Sequence, residues 1–184
     1  MEKNRAKDKQ LETIKDLLNW SYANLAAYQI ALKQDPPQYT RSCWMTRAKL
    51  FKGLQTGNMT RQSMYKNERD KLIKKDQCAY CGATGIPLTL DHVFAKSKSG
   101  SDSGDNLVYC CQACNSSKGK KDYFVWVNDT GRKVSPDVAE RYLKNAYRYC
   151  EKHGLLNLRI EDLSDAIQKE LPFDLKHIPL KYII

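Results

Sequence analysis

Two Cys-x-x-Cys pairs, Cys78/Cys81 and Cys111/Cys114, stand with 29 residues between Cys81 and Cys111 in a chain of 184. Each pair presents two sulfurs from a tight turn, and two pairs complete the four-thiolate shell of a tetrahedral ion. Gly82 follows the first pair, as such a turn requires. Buried free thiols or redox pairs are the competing readings, but neither accounts for two pairs flanking a short polar stretch. The spacing predicts a structural Zn2+ on Cys78, Cys81, Cys111 and Cys114, with no open position left for a reacting water. Cys110 adjoins Cys111, yet only Cys111 gives the two-residue gap to Cys114. Cys43 and Cys150 fall in helical patterns and read as packing residues. Seven cysteines is an odd number, and the charged start is followed by no apolar signal segment. Both features argue for a reducing compartment and an intracellular, cytoplasmic protein.

Around the cysteines the chain reads as mostly helical. Leu11, Ile14, Leu17, Leu18, Tyr22, Leu25 and Ala26 recur at helical spacing, predicting a long amphipathic helix from about Asn4 to Gln34 that Asp35-Pro36-Pro37 stops. A second helix is expected from Ser42 to near Gly53, and a third from Thr60 to Lys75. From residue 76 the period fades. Leu88-Thr89-Leu90 and Leu107-Val108-Tyr109 are strand candidates, separated by a turn-rich stretch, Ser97 to Asp105, without an apolar residue. A short helix should run from Gln112 to Lys121, and Tyr123 to Val127 form an apolar run that packs the module on its neighbours. Ser135-Pro136 opens a helix carrying Val138, Tyr142, Leu143, Ala146 and Tyr149, which Gly154 closes. A last helix spans Glu161 to Glu170. The expected class is α+β, a mostly helical chain around a small central zinc-bound module, divided as 1–76, 77–122 and 123–184.

The charge is uneven. The formal net charge is +10, and residues 41–75 hold ten Lys/Arg against two acids, a net +8. Residues 135–184 hold eight of each and balance. A polyanionic partner follows, nucleic acid before a lipid surface, and no apolar run is long enough to span a membrane. Arg61, Lys66, Arg69, Lys74, Lys75, Lys120 and Lys121 are the candidate backbone contacts, with Trp44 and Tyr65 as packing or stacking aromatics.

Between the cysteine pairs stand Leu90-Asp91-His92-Val93 and Gly104-Asp105-Asn106-Leu107, and the second pair continues as Cys114-Asn115-x-x-Lys118-Gly119. In order and spacing these segments, with both cysteine pairs, resemble the HNH or ββα-metal nuclease family over residues 77–122, a quarter of the chain. Each residue alone has a plainer explanation: a surface histidine, a turn acid, capping asparagines, a solvated basic turn. Together in one order they point to phosphodiester hydrolysis, which needs charge neutralisation on the phosphate and a base for water. Asp91 supplies a hard anionic oxygen and Asn115 a neutral one, both suited to Mg2+ or Mn2+. His92, adjacent to Asp91 on a strand, suits a general base. The resemblance implies the same roles. It also implies that Asn106 ties the loop between the strands and helps orient His92. Lys118 is expected to contact a phosphate, and the products to be 5′-phosphate and 3′-hydroxyl ends. Asn115 stands where the family's name-giving last histidine would be, which favours oxygen-preferring metals.

The expected activity is therefore a metal-dependent DNA endonuclease, acting as a monomer or a homodimer. Two other classes compete with it. A non-catalytic zinc-bearing nucleic-acid-binding protein would retard DNA without cutting it, and a cysteine-based redox or storage protein would show thiol reactivity without salt-sensitive DNA binding.

Overall fold

A computed structural model describes residues 11–59, 76–98, 100–102 and 104–184. Thr13 opens the first helix, α1 (Ile14–Ala31), as a capping box. Its hydroxyl accepts from the Asp16 N–H at 3.2 Å, and its own N–H donates to Asp16 Oδ2 at 3.0 Å. The cap, together with a bridge between Thr13 and Arg159, starts the helix at Ile14, so residues 11–13 do not continue the helix expected from Asn4. Residues 1–10 lie outside the described chain. Thr13→Ala should cost about 1 kcal/mol in a denaturant melt, the usual contribution of such a cap. An unchanged midpoint would show that the bridge to Arg159 alone sets the helix start.

Helix α1 is not amphipathic. Apart from half-buried Trp20, every residue from Leu17 to Tyr28 is buried. Helix α2 (Arg41–Thr56) and helix α5 (Pro136–Lys152) both pack on it, and Tyr182 near the C-terminus stacks on Tyr28 at 5.5 Å. Its buried polar groups are therefore paired inside: Asn19 donates to Gln55 Oε1 at 3.1 Å, and Ser21 bonds Tyr182 OH at 2.9 Å.

Helix α2 extends beyond Gly53 to Thr56, where Gly57 takes a left-handed φ of 76° that ends it. Arg41, Lys49 and Lys52 are exposed along it. The guanidinium of Arg47 lies over Trp20 (4.9 Å) and Trp44 (4.7 Å), and Tyr39 stacks on Trp44 at 4.6 Å, so the Trp44 ring is engaged within the protein. The expected third helix at 60–75 lies outside the described residues, and with it Arg61, Tyr65, Lys66, Arg69, Lys74 and Lys75.

Strands β1 (Leu88–His92) and β2 (Leu107–Cys111) pair antiparallel, Asp91 opposite Val108 and His92 opposite Leu107. Helix α3 (Gln112–Lys118) follows β2 directly and packs on both strands, giving a ββα unit. The run at 123–127 is helix α4 (Tyr123–Thr130), because Asp122 caps it through the Phe124 and Val125 N–H groups. Asp122 Oδ2 also accepts from Tyr142 OH (2.6 Å) and the Asp174 N–H (3.1 Å), joining three segments. Helix α5 begins after Ser135 at Pro136. The last expected helix is divided into a 3-10 turn, Ile160–Asp162, and α6 (Asp165–Glu170), which Ser164 caps. One continuous apolar core joins α1, the cysteine turns, α4, α5 and the C-terminal segment.

Candidate active site and metal centre

Local backbone bonds shape both cysteine turns. The Gly82 N–H donates to Cys78 O at 2.9 Å, with Gly82 at a φ of 77° that other residues rarely adopt, and the Cys78 N–H donates to Ala83 O at 2.8 Å. The second turn is the β2–α3 junction, where Cys111 Sγ accepts from the Cys114 N–H at 3.5 Å. The four sulfurs of Cys78, Cys81, Cys111 and Cys114 all lie within 4.8 Å of one another, with Cys81 and Cys111 at 4.0 Å. Tetrahedral zinc thiolates, with bonds of ~2.3 Å, need sulfurs roughly 3.8 Å apart, so this cluster could hold such an ion. Strand alternation separates Cys110 from the cluster. It is fully buried, and burial pushes its thiol up to about 12. Burial also opposes ionisation of Cys78, but N–H groups of Cys111, Cys81 and Tyr80 outweigh it and bring the thiol down to about 7.

Tyr80, inside the first cysteine turn, reaches the other half of the site. Its hydroxyl donates to Asp91 Oδ2 at 2.6 Å, and its ring stacks on Tyr123 at 5.9 Å and meets Trp126 edge-on at 5.1 Å. Burial, and then the Asp91 charge, push this hydroxyl well above the ordinary tyrosine value, which keeps it a donor. Asp91 Oδ2 also pairs with Lys118 Nζ at 3.0 Å. Lys118 is the residue expected at a phosphate. Its side chain is 0% exposed, and the ammonium divides itself between Asp91 and His92 O (2.8 Å). Lys120 and Lys121 are exposed in the turn beyond it.

Asn115 sits one helical turn before Lys118 on α3, and its Nδ2 donates to Thr89 Oγ1 at 3.1 Å. Thr89 and Asp91 share a face of β1, so the amide and the carboxylate lie on the same side of the hairpin. Among the described residues Asp91 Oδ1 and Asn115 Oδ1 accept no hydrogen bond, which leaves two oxygens of the hard type that Mg2+ or Mn2+ takes. His92 alternates to the other face of β1. Its Nε2 lies 2.8 Å from Asp102 Oδ1, and Lys96 Nζ holds Asp102 Oδ2 at 2.8 Å. The Lys96 and His92 bonds hold the Asp102 carboxyl below the ordinary range. Asn106 accepts from the Phe94 N–H (2.8 Å) and donates to Phe94 O (3.0 Å) and Ser101 O (2.9 Å), stitching the loop to the end of β1. Tyr80, Lys96, Thr89 and Asp102 carry no spacing signal in the sequence. Strand β1, the loop that follows it and the first cysteine turn bring them in.

Residues 78–121 match the family model described as HNH endonuclease. The chain carries an HNH-family module. A protein of Corynebacterium diphtheriae described as CRISPR-associated endonuclease Cas9 is 38% identical over 60 residues, a stretch that is 29% of this chain and 5% of that relative. The chain therefore spans a small fraction of the length of the curated relative it matches. No solved structure matches it. The HNH module coincides with the ββα unit and both cysteine turns, and α1, α2, α4 and α5 lie outside it. Among the described residues no helix is long and apolar enough to cross a membrane.

Proposed function

We propose that the chain is a metal-dependent DNA endonuclease, with zinc on the four cysteines and Mg2+ or Mn2+ held by Asp91 and Asn115. The observation that carries this reading is the pair of oxygens, Asp91 Oδ1 and Asn115 Oδ1, that accept no hydrogen bond among the described residues and lie on one side of a hairpin whose first strand ends at His92. A divalent ion held there supplies charge neutralisation on the phosphate and on the departing oxygen. Tyr80 and Lys118 fix the Asp91 carboxylate through Oδ2, so its other oxygen is presented without rotamer freedom. His92 accepts the proton of the attacking water as the new P–O bond forms and the bond to the 3′ oxygen breaks. The departing 3′ oxygen takes a proton from solvent, and the ends left are a 5′-phosphate and a 3′-hydroxyl. The exposed cations of α2, with Lys120 and Lys121, supply salt-sensitive grip on the backbone without sequence information.

Supercoiled plasmid is the direct test. The wild type should nick it with Mn2+ or Mg2+ and not with a chelator, and His92→Ala should lose about 100-fold or more in rate. Equal nicking by His92→Ala removes the base. DNA retardation that falls with salt, without cleavage under either metal, would support the non-catalytic zinc-bearing binding protein instead.

A further inference from the structure

An imidazole can take a proton from water only through the ring nitrogen that does not already carry one, so a histidine base needs its tautomer chosen for it. His92 Nε2 lies 2.8 Å from Asp102 Oδ1, while Nδ1 makes no hydrogen bond among the described residues. A carboxylate can only accept, which puts the proton on Nε2 and leaves the Nδ1 lone pair open. Lys96 occupies the other oxygen of Asp102 at 2.8 Å, fixing which oxygen meets the ring.

Asp102 is itself 63% exposed, and an exposed pair contributes little stability. Orientation is another matter, because the backbone on both sides of Asp102 is pinned. Before it, the Gly100 N–H donates to Ala95 O at 3.2 Å, and Asn106 Nδ2 holds Ser101 O at 2.9 Å. A Cβ on Gly100 would lie 1.9 Å from Phe94 O, so only glycine allows the loop to lie this close to the end of β1. After it, Arg141 donates to Gly104 O at 2.8 Å, Asn145 donates to Asp105 O at 2.9 Å, and Arg148 pairs with the Asp105 carboxylate. These three side chains all come from helix α5. A polar loop pinned before Asp102 from within the HNH module and after it by a helix outside the module is built to hold something in place. His92 is what it meets.

We propose that Asp102 is a positioning residue for His92, selecting the Nε2–H tautomer so that Nδ1 faces the attacking water. The inference rests on the reading of His92 as general base. It adds a carboxylate–imidazole pair contributed by the loop between the strands.

The test joins a spectrum to a rate. Long-range 1H–15N spectra of the full chain with 15N-labelled histidine, with the His92 signals assigned through His92→Gln, should show the neutral ring of His92 as Nε2–H. In Asp102→Asn, whose amide can donate to Nε2, a mixture of tautomers should replace it. Plasmid nicking by Asp102→Asn should fall about 10- to 100-fold in kcat, the usual cost of losing an orienting partner, with KM changed less than about twofold. A wild-type ring in the Nδ1–H form, a tautomer unmoved by Asp102→Asn, or a loss confined to KM each overturns the proposal. A wild type that is Nε2–H and cleaves nothing under Mn2+ or Mg2+ overturns the nuclease reading, with the pairing left standing.

Discussion

Cys111→Ser should release the structural ion and unfold the ββα module, ending metal-dependent cleavage with it. The reason lies in what else could hold residues 77–122 together. Among the described residues the sheet has two strands, and a two-stranded hairpin is marginal alone in water. Its apolar contribution to the core is made largely through Cys78, Tyr80, Val93, Phe94, Val108, Cys110, Cys111 and Cys114, three of them ligands of the proposed ion. A four-thiolate zinc contributes on the order of 10 kcal/mol or more to such a fold, comparable with the whole stability of a typical domain. Loss of one thiolate should therefore lower zinc content well below one per chain and erase hydrogen-exchange protection across β1 and β2. Cys110→Ser is the control. Cys110 is as buried as any ligand yet outside the cluster, so its serine variant should keep its zinc and lose only a few kcal/mol of packing. If Cys110→Ser loses the metal and Cys111→Ser keeps it, the ligand set is wrong.

The contrast between those two cysteines shows what was legible in the sequence. The two-residue gap chooses Cys111 over Cys110, and strand alternation then turns the neighbours to opposite faces, so a local rule reaches a three-dimensional result. Leu88-Thr89-Leu90 and Leu107-Val108-Tyr109 announced the hairpin for the same reason, each growing to five residues once paired. Ser135-Pro136 and Gly154 bound helix α5 because caps act within one turn. Signals that depend on the partner were not legible. Asn19, Ser21 and Asn24 give α1 the look of a helix with a wet face, but α2 and the C-terminal segment cover that face and pair its polar groups. The apolar run at 123–127 suits strand or helix equally, and Asp122 decides it as a cap. Asp102 is one acid in a loop of serines and glycines, and nothing in its spacing marks it as the group His92 meets.

Lys118 is the instructive case, since a basic residue beside a nuclease motif invites a phosphate contact and yet its side chain is buried. Its ammonium, 3.0 Å from Asp91 Oδ2 and 2.8 Å from His92 O, ties the proposed metal ligand to the backbone of the proposed base. Lys118→Met keeps the length and apolar stem but leaves a nearly buried carboxylate and a carbonyl without that partner. Removing one member of a buried pair costs about 3–5 kcal/mol. In a chain of this size that lowers Tm by roughly 10 °C, at about 2–4 °C per kcal/mol. Tyr80 still donates to Asp91, which sets the lower end of the range. Asp91→Asn in the Lys118→Met background should recover part of the loss, because it removes the stranded charge, and the double-mutant cycle should give a coupling of about 1–3 kcal/mol. A phosphate contact predicts the opposite pattern: an unchanged melt, no coupling to Asp91, and a shallower salt dependence of DNA binding by about one counterion. Thermal melts of the four proteins and salt titrations of two therefore separate a lysine that holds the site from one that holds the substrate.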